Sequence, residues 1–271
     1  LAHIHKPKVI FSATLHLLNT VTLLESFSYW LSMPHFPLLL SPFFLLPMRQ
    51  FAISDIHGHL DTFKALLRQL AFSKRDELFL LGDFIDRGPN SKGVIDYVKA
   101  LQAKGRRVHC LRGNHEQMCV EAPNNRDYWR MWLQHGGKET CASFASQDYT
   151  VPEKYLSWMK ELPLHLETEG YLFVHAGIDT RKSDPLADQD SLLWARNWTD
   201  KMDHDWLDGR IIVHGHTPTP VEDIQLSVHA VDHLPVINVD AGCFAKKRSG
   251  MGYLCALELG SHALTFQKNV G

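Results

Sequence analysis

The chain lacks an excess of either charge. Its 271 residues carry 28 Lys and Arg against 30 Asp and Glu, a formal net charge of −2. That balance offers no basic footprint for nucleic acid, so an anionic substrate has to be attracted by a few local groups. Cysteine is sparse and odd in number, at positions 110, 119, 141, 243 and 255, with no Cys-x-x-Cys pair. That argues against a closed disulfide framework, and reduced, buried thiols in a cytosolic protein are expected. No His-Glu-x-x-His helix is present for metal-assisted peptide cleavage, and no acid pair for glycosyl hydrolysis stands out. An uninterrupted membrane-spanning run is missing too. Residues 1–47 carry Lys6 and Lys8 and then a long apolar stretch, but Asn19, Glu25, Pro34, Pro37 and Pro42 interrupt it, and no small-x-small cleavage site is evident.

Those first 47 residues differ in composition from everything after them. Met48 stands directly before Arg49-Gln50 and the first strand-like run. Residues 1–47 are therefore expected to be extraneous to the function, through a start site placed too early, with a membrane-associating stretch as the alternative. Residues 48–271 are expected to form one α/β domain.

What the chain does contain is a series of short apolar runs, each ending in a polar cluster. Phe51-Ala52-Ile53-Ser54 precedes Asp55-Ile56-His57-Gly58, and Leu78-Phe79-Leu80-Leu81 precedes Gly82-Asp83-Phe84-Ile85-Asp86-Arg87-Gly88. Val108-His109-Cys110-Leu111 precedes Arg112-Gly113-Asn114-His115-Glu116. Such runs, alternating with helical patterns at 60–71 and 91–104, read as buried parallel strands whose loops leave one sheet edge, where open α/β sheets bind ligands. Asp55 and His57 are separated by one residue, so at an extended strand end both side chains face the same side and can hold one ion. Asp83 and Asn114 add hard oxygen donors suited to Mn, Mg or Fe, while imidazoles widen the choice to Zn. Residues 118–144 look helical, with Trp129 and Trp132 read as core. Strands are expected at 171–174 and 210–213, ending in His175-Ala176-Gly177 and His214-Gly215-His216. Runs at 236–240, 253–257 and 263–266 read as strands that complete a second sheet.

The five polar clusters, taken in order, resemble the motifs of the metallophosphoesterase superfamily, and specifically the phosphoprotein phosphatase family with its bacterial and phage members. The resemblance runs from Phe51 to the C-terminus. It implies an α/β fold with two mixed β-sheets packed as a central sandwich flanked by helices. It also implies two divalent metal ions, manganese first, with iron or zinc as alternatives. By this resemblance Asp55, His57 and Asp83 hold one ion, and Asp83, Asn114, His175 and His216 hold the other. His115 becomes the general acid, oriented by Asp86; Arg87 and Arg112 grip phosphate oxygens, with Arg196 a third candidate. His59 and His214 match no ligand position and are read as structural. Asp240-Ala241-Gly242-Cys243 resembles the loop that closes the site from below, although its polar residues also suit a plain turn.

On substrate, Thr217-Pro218 follows His216 where nucleases and cyclic-nucleotide phosphodiesterases of the superfamily place a further histidine, which favours the phosphoprotein phosphatase branch. Within it, Glu116 stands where dinucleotide hydrolases usually carry Asp. The resemblance therefore implies a serine/threonine protein phosphatase acting on a phosphoprotein or phosphopeptide, and on small phosphate esters in vitro. Neither nucleic acid nor membrane is expected as a partner, and the cytoplasm is the expected location. One alternative is a symmetrical bis(5'-nucleosyl)-tetraphosphate hydrolase, which shares the metal site. A silent metal-binding scaffold is the other, and the intact His115, Asp86 and arginines speak against it.

Overall fold

In the computed structural model, which describes residues 48–271, the strands form two mixed sheets. Expectations for residues 1–47 lie outside the described residues. The first sheet takes β1 (Gln50–Ile53), β2 (Glu77–Leu80) and β3 (Arg107–Cys110), all parallel. The second takes β4 (His165–Thr168), β5 (Tyr171–Val174), β6 (Ile211–His214) and β7 (Val236–Asn238), with β5, β6 and β7 parallel and β4 antiparallel at the edge.

The last two strands correct the sequence reading. β8 (Tyr253–Glu258) and β9 (Leu264–Lys268) do not complete the second sheet; they extend the first, in the order β3-β2-β1-β8-β9. The physical reason lies in β8, where Leu254, Cys255, Ala256 and Leu257 are all buried. A strand apolar on both faces needs an interior place, and β8 finds one antiparallel to β1, with β9 on its other side.

Side-chain alternation then builds the layers. Ala52, Phe79, Leu81 and Cys255 of the first sheet meet Phe173, Val213 and Ile237 of the second, and the Phe79 and Phe173 rings stack with centroids 4.4 Å apart. Phe51, Ile53, Leu78 and Leu80 point the other way, onto Phe63, Leu66, Val94, Ile95 and Val98 of the helices α1 (Leu60–Gln69) and α2 (Ser91–Ala103). Leu172, Val174, Ile212 and Val236 form the outer face of the second sheet, against Leu192 and Leu207.

The expected helical stretch at 118–144 is not one helix. It divides into α3 (Asn114–Glu121), α4 (Arg126–Trp132), a wide turn at Leu133–Gly137 and α5 (Lys138–Ser143). Pro123-Asn124-Asn125 ends the first piece, and the Asn125 side chain caps the second by accepting from the Asp127 and Tyr128 N–H groups. Gly136, at φ 114°, breaks the third boundary. Beyond these come α6 (Glu153–Glu161), α7 (Gln189–Trp194), α8 (His204–Leu207) and α9 (Val221–His229). Among the described residues no helix is long and apolar enough to cross a membrane.

Candidate metal centre

The loops after β1, β2, β5 and β6 and the first turn of α3 converge at one end of the sandwich, and their backbone is unusual. Asp55, His57, Asp83, Asp86, Arg87 and His216 all have positive φ, between 45° and 72°. Residues with a Cβ adopt this region at a cost, and such strain clusters where side chains must be aimed. Glu116 pays part of that cost back. Its fully buried carboxylate accepts from the N–H groups of Asp83 (2.8 Å), Phe84 (2.8 Å), Ile85 (3.3 Å) and Gly113 (2.9 Å), so it staples the Asp83 loop to the start of α3.

Asp83 sits between two clusters of ligand atoms. One comprises His57, Asp83 and His115; the other comprises Asp83, His175 and His216; within each, the atoms lie within 4.8 Å of one another. His57 Nε2 is 3.5 Å from Asp83 Oδ2 and 3.7 Å from Asp55 Oδ1, and His175 Nε2 is 3.5 Å from Asp83 Oδ1. The ring tautomers follow from the outer partners. His57 Nδ1 lies 2.8 Å from the Ile85 carbonyl and His175 Nδ1 2.8 Å from the Leu81 carbonyl. A carbonyl only accepts, so each Nδ1 carries the proton and each Nε2 turns a bare lone pair inward. Asn114 Oδ1, itself an acceptor, lies 2.9 Å from that bare His175 Nε2 and 2.9 Å from His216 Nδ1.

The electrostatics ask for positive charge. Burial, then the charges of Asp55 and Glu116, push the Asp83 carboxyl well above its ordinary range. Burial, then His175, pushes His216 down to about 2, and burial also lowers His57 and His175. Two buried atoms in the set, Asp55 Oδ1 and His216 Nε2, have no hydrogen-bond partner. Orphaned acceptors among crowded carboxylates and neutral imidazoles are what a divalent cation satisfies, and the mixed O/N donor set suits Mn, Fe or Zn. The residues present therefore fit a two-ion centre around a shared Asp83. His115 lies within the first cluster, and Arg87 reaches its Nε2 at 3.0 Å as it reaches His57 Nε2; what sets His115 apart is the far side of its ring, held by a carboxylate and not by a carbonyl, while Asp55 Oδ1 has no hydrogen-bond partner.

His115 is held differently from the other imidazoles. Its Nδ1 lies 2.6 Å from Asp86 Oδ2, and Asp86 is fully buried. The other oxygen of that carboxylate accepts from Trp132 Nε1 at 3.0 Å and from Thr140 Oγ1 at 2.6 Å. Arg87 also donates to His57 Nε2 at 2.7 Å, and its guanidinium lies 4.0 Å over the Phe244 ring.

The remaining expected residues fall as follows. Arg112 is half-buried, its Nε lacks a partner, and burial lowers its pKa. Exposed Arg196 donates to Thr217 Oγ1 at 3.0 Å, next to His216. His214 packs edge-on against Trp198, and His59 faces Asn269 near the C-terminus. Trp129 and Trp132 line a cavity of about 710 Å³ between α3, α4 and α6 whose walls include none of the expected ligands. Trp132 nevertheless does more than fill the core, since its indole N–H holds Asp86. Asp240 goes beyond turn chemistry as well: Oδ1 accepts from Gly242 N–H at 2.9 Å, while buried Oδ2 has no partner and burial, then Asp55, raises its pKa. Sequence reading missed the roles of Glu116, Trp132, Thr140 and Phe244. The Gly136-Gly137 pair is the signal that could have pointed to Trp132, because a Cβ on Gly137 would meet the indole Cδ2 at 2.6 Å.

Comparisons with known proteins bear on this geometry. The profile of the family described as calcineurin-like phosphoesterase matches residues 48–244. A symmetrical bis(5'-nucleosyl)-tetraphosphatase of Nitrosococcus oceani is 30% identical over 165 residues, covering 58% of this chain and 55% of that protein. The chain thus spans about half the length of the tetraphosphatases it matches. Serine/threonine-protein phosphatase 1 of Salmonella typhimurium is 26% identical over 66% of this chain and 83% of its own length. A solved protein serine/threonine phosphatase from Saccharomyces cerevisiae superposes with a TM-score of 0.56 at 18% identity, covering 83% of this chain and 81% of that one, a likeness of fold.

Proposed function

The chain belongs to the calcineurin-like phosphoesterase family, and from that premise we propose that it is a metal-dependent hydrolase cutting dinucleoside tetraphosphates symmetrically into two nucleoside diphosphates. The observation that carries the hydrolytic part is Asp83, set between two ligand clusters with Asp55 Oδ1 and His216 Nε2 unpartnered. Asp55, His57 and Asp83 are assigned to one ion, and Asp83, Asn114, His175 and His216 to the other, with manganese as the first choice. The dinucleotide is supported by the symmetrical tetraphosphatases among the relatives. Glu116 no longer argues for a phosphoprotein, because its carboxylate is committed to four backbone N–H groups and does not face a substrate. One observation favours the serine/threonine phosphatase as a second reading: that relative is matched over 83% of its length, the tetraphosphatase over 55%.

Divalent ions held by this set supply Lewis acidity that activates water and offsets charge on the phosphate oxygens. The chain's own groups do the rest. Arg87, braced on Phe244, holds its two terminal nitrogens at His57 Nε2 and His115 Nε2 and would turn them to the non-bridging oxygens when substrate binds, with Arg112 and Arg196 as further cations. Water attacks phosphorus in line: its oxygen forms the new P–O bond, the bridging P–O bond breaks with its electron pair on the departing oxygen, and the water's proton passes to solvent. His115 Nε2 gives its proton to the departing oxygen while Asp86 keeps hold of Nδ1–H. Burial, then His57 and Arg87, push the His115 imidazole below its ordinary range, while the Asp86 carboxylate at Nδ1 and an incoming anionic phosphate favour its protonated form, which takes its proton from solvent. A nucleoside diphosphate leaves far more readily than a serine alkoxide and draws less on this acid.

The test is a competition between diadenosine tetraphosphate and a phosphoserine peptide on the manganese-loaded protein. ADP as the sole nucleotide product, with the dinucleotide preferred, is expected. A preference for the peptide of about a hundredfold or more would hand the reading to the protein phosphatase.

A further inference from the structure

The helical segment between the Asn114 motif and β4 brings two side-chain donors to one carboxylate of the site. Asp86 Oδ1 receives two donors from this segment, Trp132 Nε1–H from the end of α4 and Thr140 Oγ1–H from α5. The Asp86 backbone is gripped as well, its N–H donating to Thr140 Oγ1 at 2.9 Å and Ser91 Oγ at 3.0 Å. The terminal torsion of a carboxylate is soft and two-fold, so one partner would leave its plane free to turn. Two donors arriving at one oxygen from different helices, with the imidazole on the other oxygen, define that plane. The intervening turn is shaped to allow this. Gly136 at φ 114° brings its carbonyl to the Arg87 N–H at 3.4 Å, and Gly137, lacking a Cβ, leaves room for the Trp132 indole.

We propose that Trp132 and Thr140 are positioning residues for the acid: by fixing Asp86 through Oδ1 they hold His115 with Nδ1–H toward Asp86 and Nε2 toward the reacting phosphate. This rests on the reading of His115 as the acid. A residue that only fills the core would not depend on its N–H or O–H, and the substitutions follow from that difference. Thr140→Val keeps the volume and removes the donor; Thr140→Ser keeps the donor; Trp132→Phe keeps an aromatic ring and removes the N–H.

The experiment has two arms on the 271-residue chain. In the kinetic arm, Thr140→Val lowers kcat for phosphoserine by about tenfold with KM little changed, and costs less on p-nitrophenyl phosphate, whose leaving group needs little protonation. Thr140→Ser restores most of the rate, and Thr140→Val has no further effect in a His115→Asn background. In the spectroscopic arm, on metal-free protein, the proton in the 2.6 Å bond between His115 and Asp86 gives a low-field resonance that His115→Asn removes. Thr140→Val and Trp132→Phe move it upfield while the amide spectrum stays folded. Equal losses on both substrates for Thr140→Val, full additivity with His115→Asn, or an unmoved low-field proton would overturn the proposal. Should His115→Asn itself cost both substrates equally, the acid reading falls. The low-field proton then decides the positioning alone, movement supporting it and constancy overturning it.

Discussion

Two of the three imidazoles on the ligand side of the site are anchored to backbone, the third, His216, to the Asn114 side chain, and the one on the acid side is anchored to a carboxylate. His57 and His175 give their outer protons to the carbonyls of Ile85 and Leu81, whereas His115 gives its proton to buried Asp86. A carbonyl fixes the tautomer without adding charge and leaves a neutral lone pair for a cation. A carboxylate also stabilises the imidazolium, which suits a group that must carry and release a proton. On the proposed function, the same residue type would take two tasks according to its outer partner. The ligand side is strung on strand ends from both sheets; the acid side is braced by the segment from α3 to α5.

Breaking the ligand side at its shared member is expected to have the largest effect. Asp83→Asn weakens both clusters together and should lower turnover by about three orders of magnitude on every phosphate substrate, with no dependence on the leaving group. Steady-state rates on two substrates check this. On the acid side, His115→Asn should cost about a hundredfold on phosphoserine, and markedly less on diadenosine tetraphosphate or p-nitrophenyl phosphate. That asymmetry sharpens the comparison, since ligand changes are blind to the leaving group and acid changes are not. The smallest effect is expected at the seam between the two sides. A Cβ on Gly136 would collide with the Arg87 backbone nitrogen, at a φ that disfavours any side chain. Gly136→Ala should cost about 1–3 kcal/mol of stability, read from thermal unfolding, and raise KM more than it lowers kcat as the Arg87 grip on phosphate loosens.

These assignments were unequally legible in the sequence. The strand ends could be read because short apolar runs stop at Asp55, Asp83 and Asn114, and the six ligand candidates came with the resemblance. Sheet membership could not be read for β8 and β9. Alternation tells which residues share a face, but the choice of neighbour rests on pairing across some 200 residues, Phe51 with Glu258 for instance. The supports of the site were hidden for a similar reason. Glu116 reads in sequence as a substrate determinant, yet its oxygens hold the Asp83 loop, 33 residues away. Trp132 and Thr140 reach Asp86 from 46 and 54 residues away, and a tryptophan on a helical stripe gives no sign that its N–H is spoken for.

The central claim, that the ligand side is built for a pair of ions around Asp83, is tested most directly by counting them. Metal-free protein titrated with Mn²⁺, with bound metal measured by calorimetry and elemental analysis, should take up two ions per chain, and Asp83→Asn should hold neither firmly. Uptake of one ion or none by the unaltered chain, or two ions retained with undiminished affinity by Asp83→Asn, would contradict it.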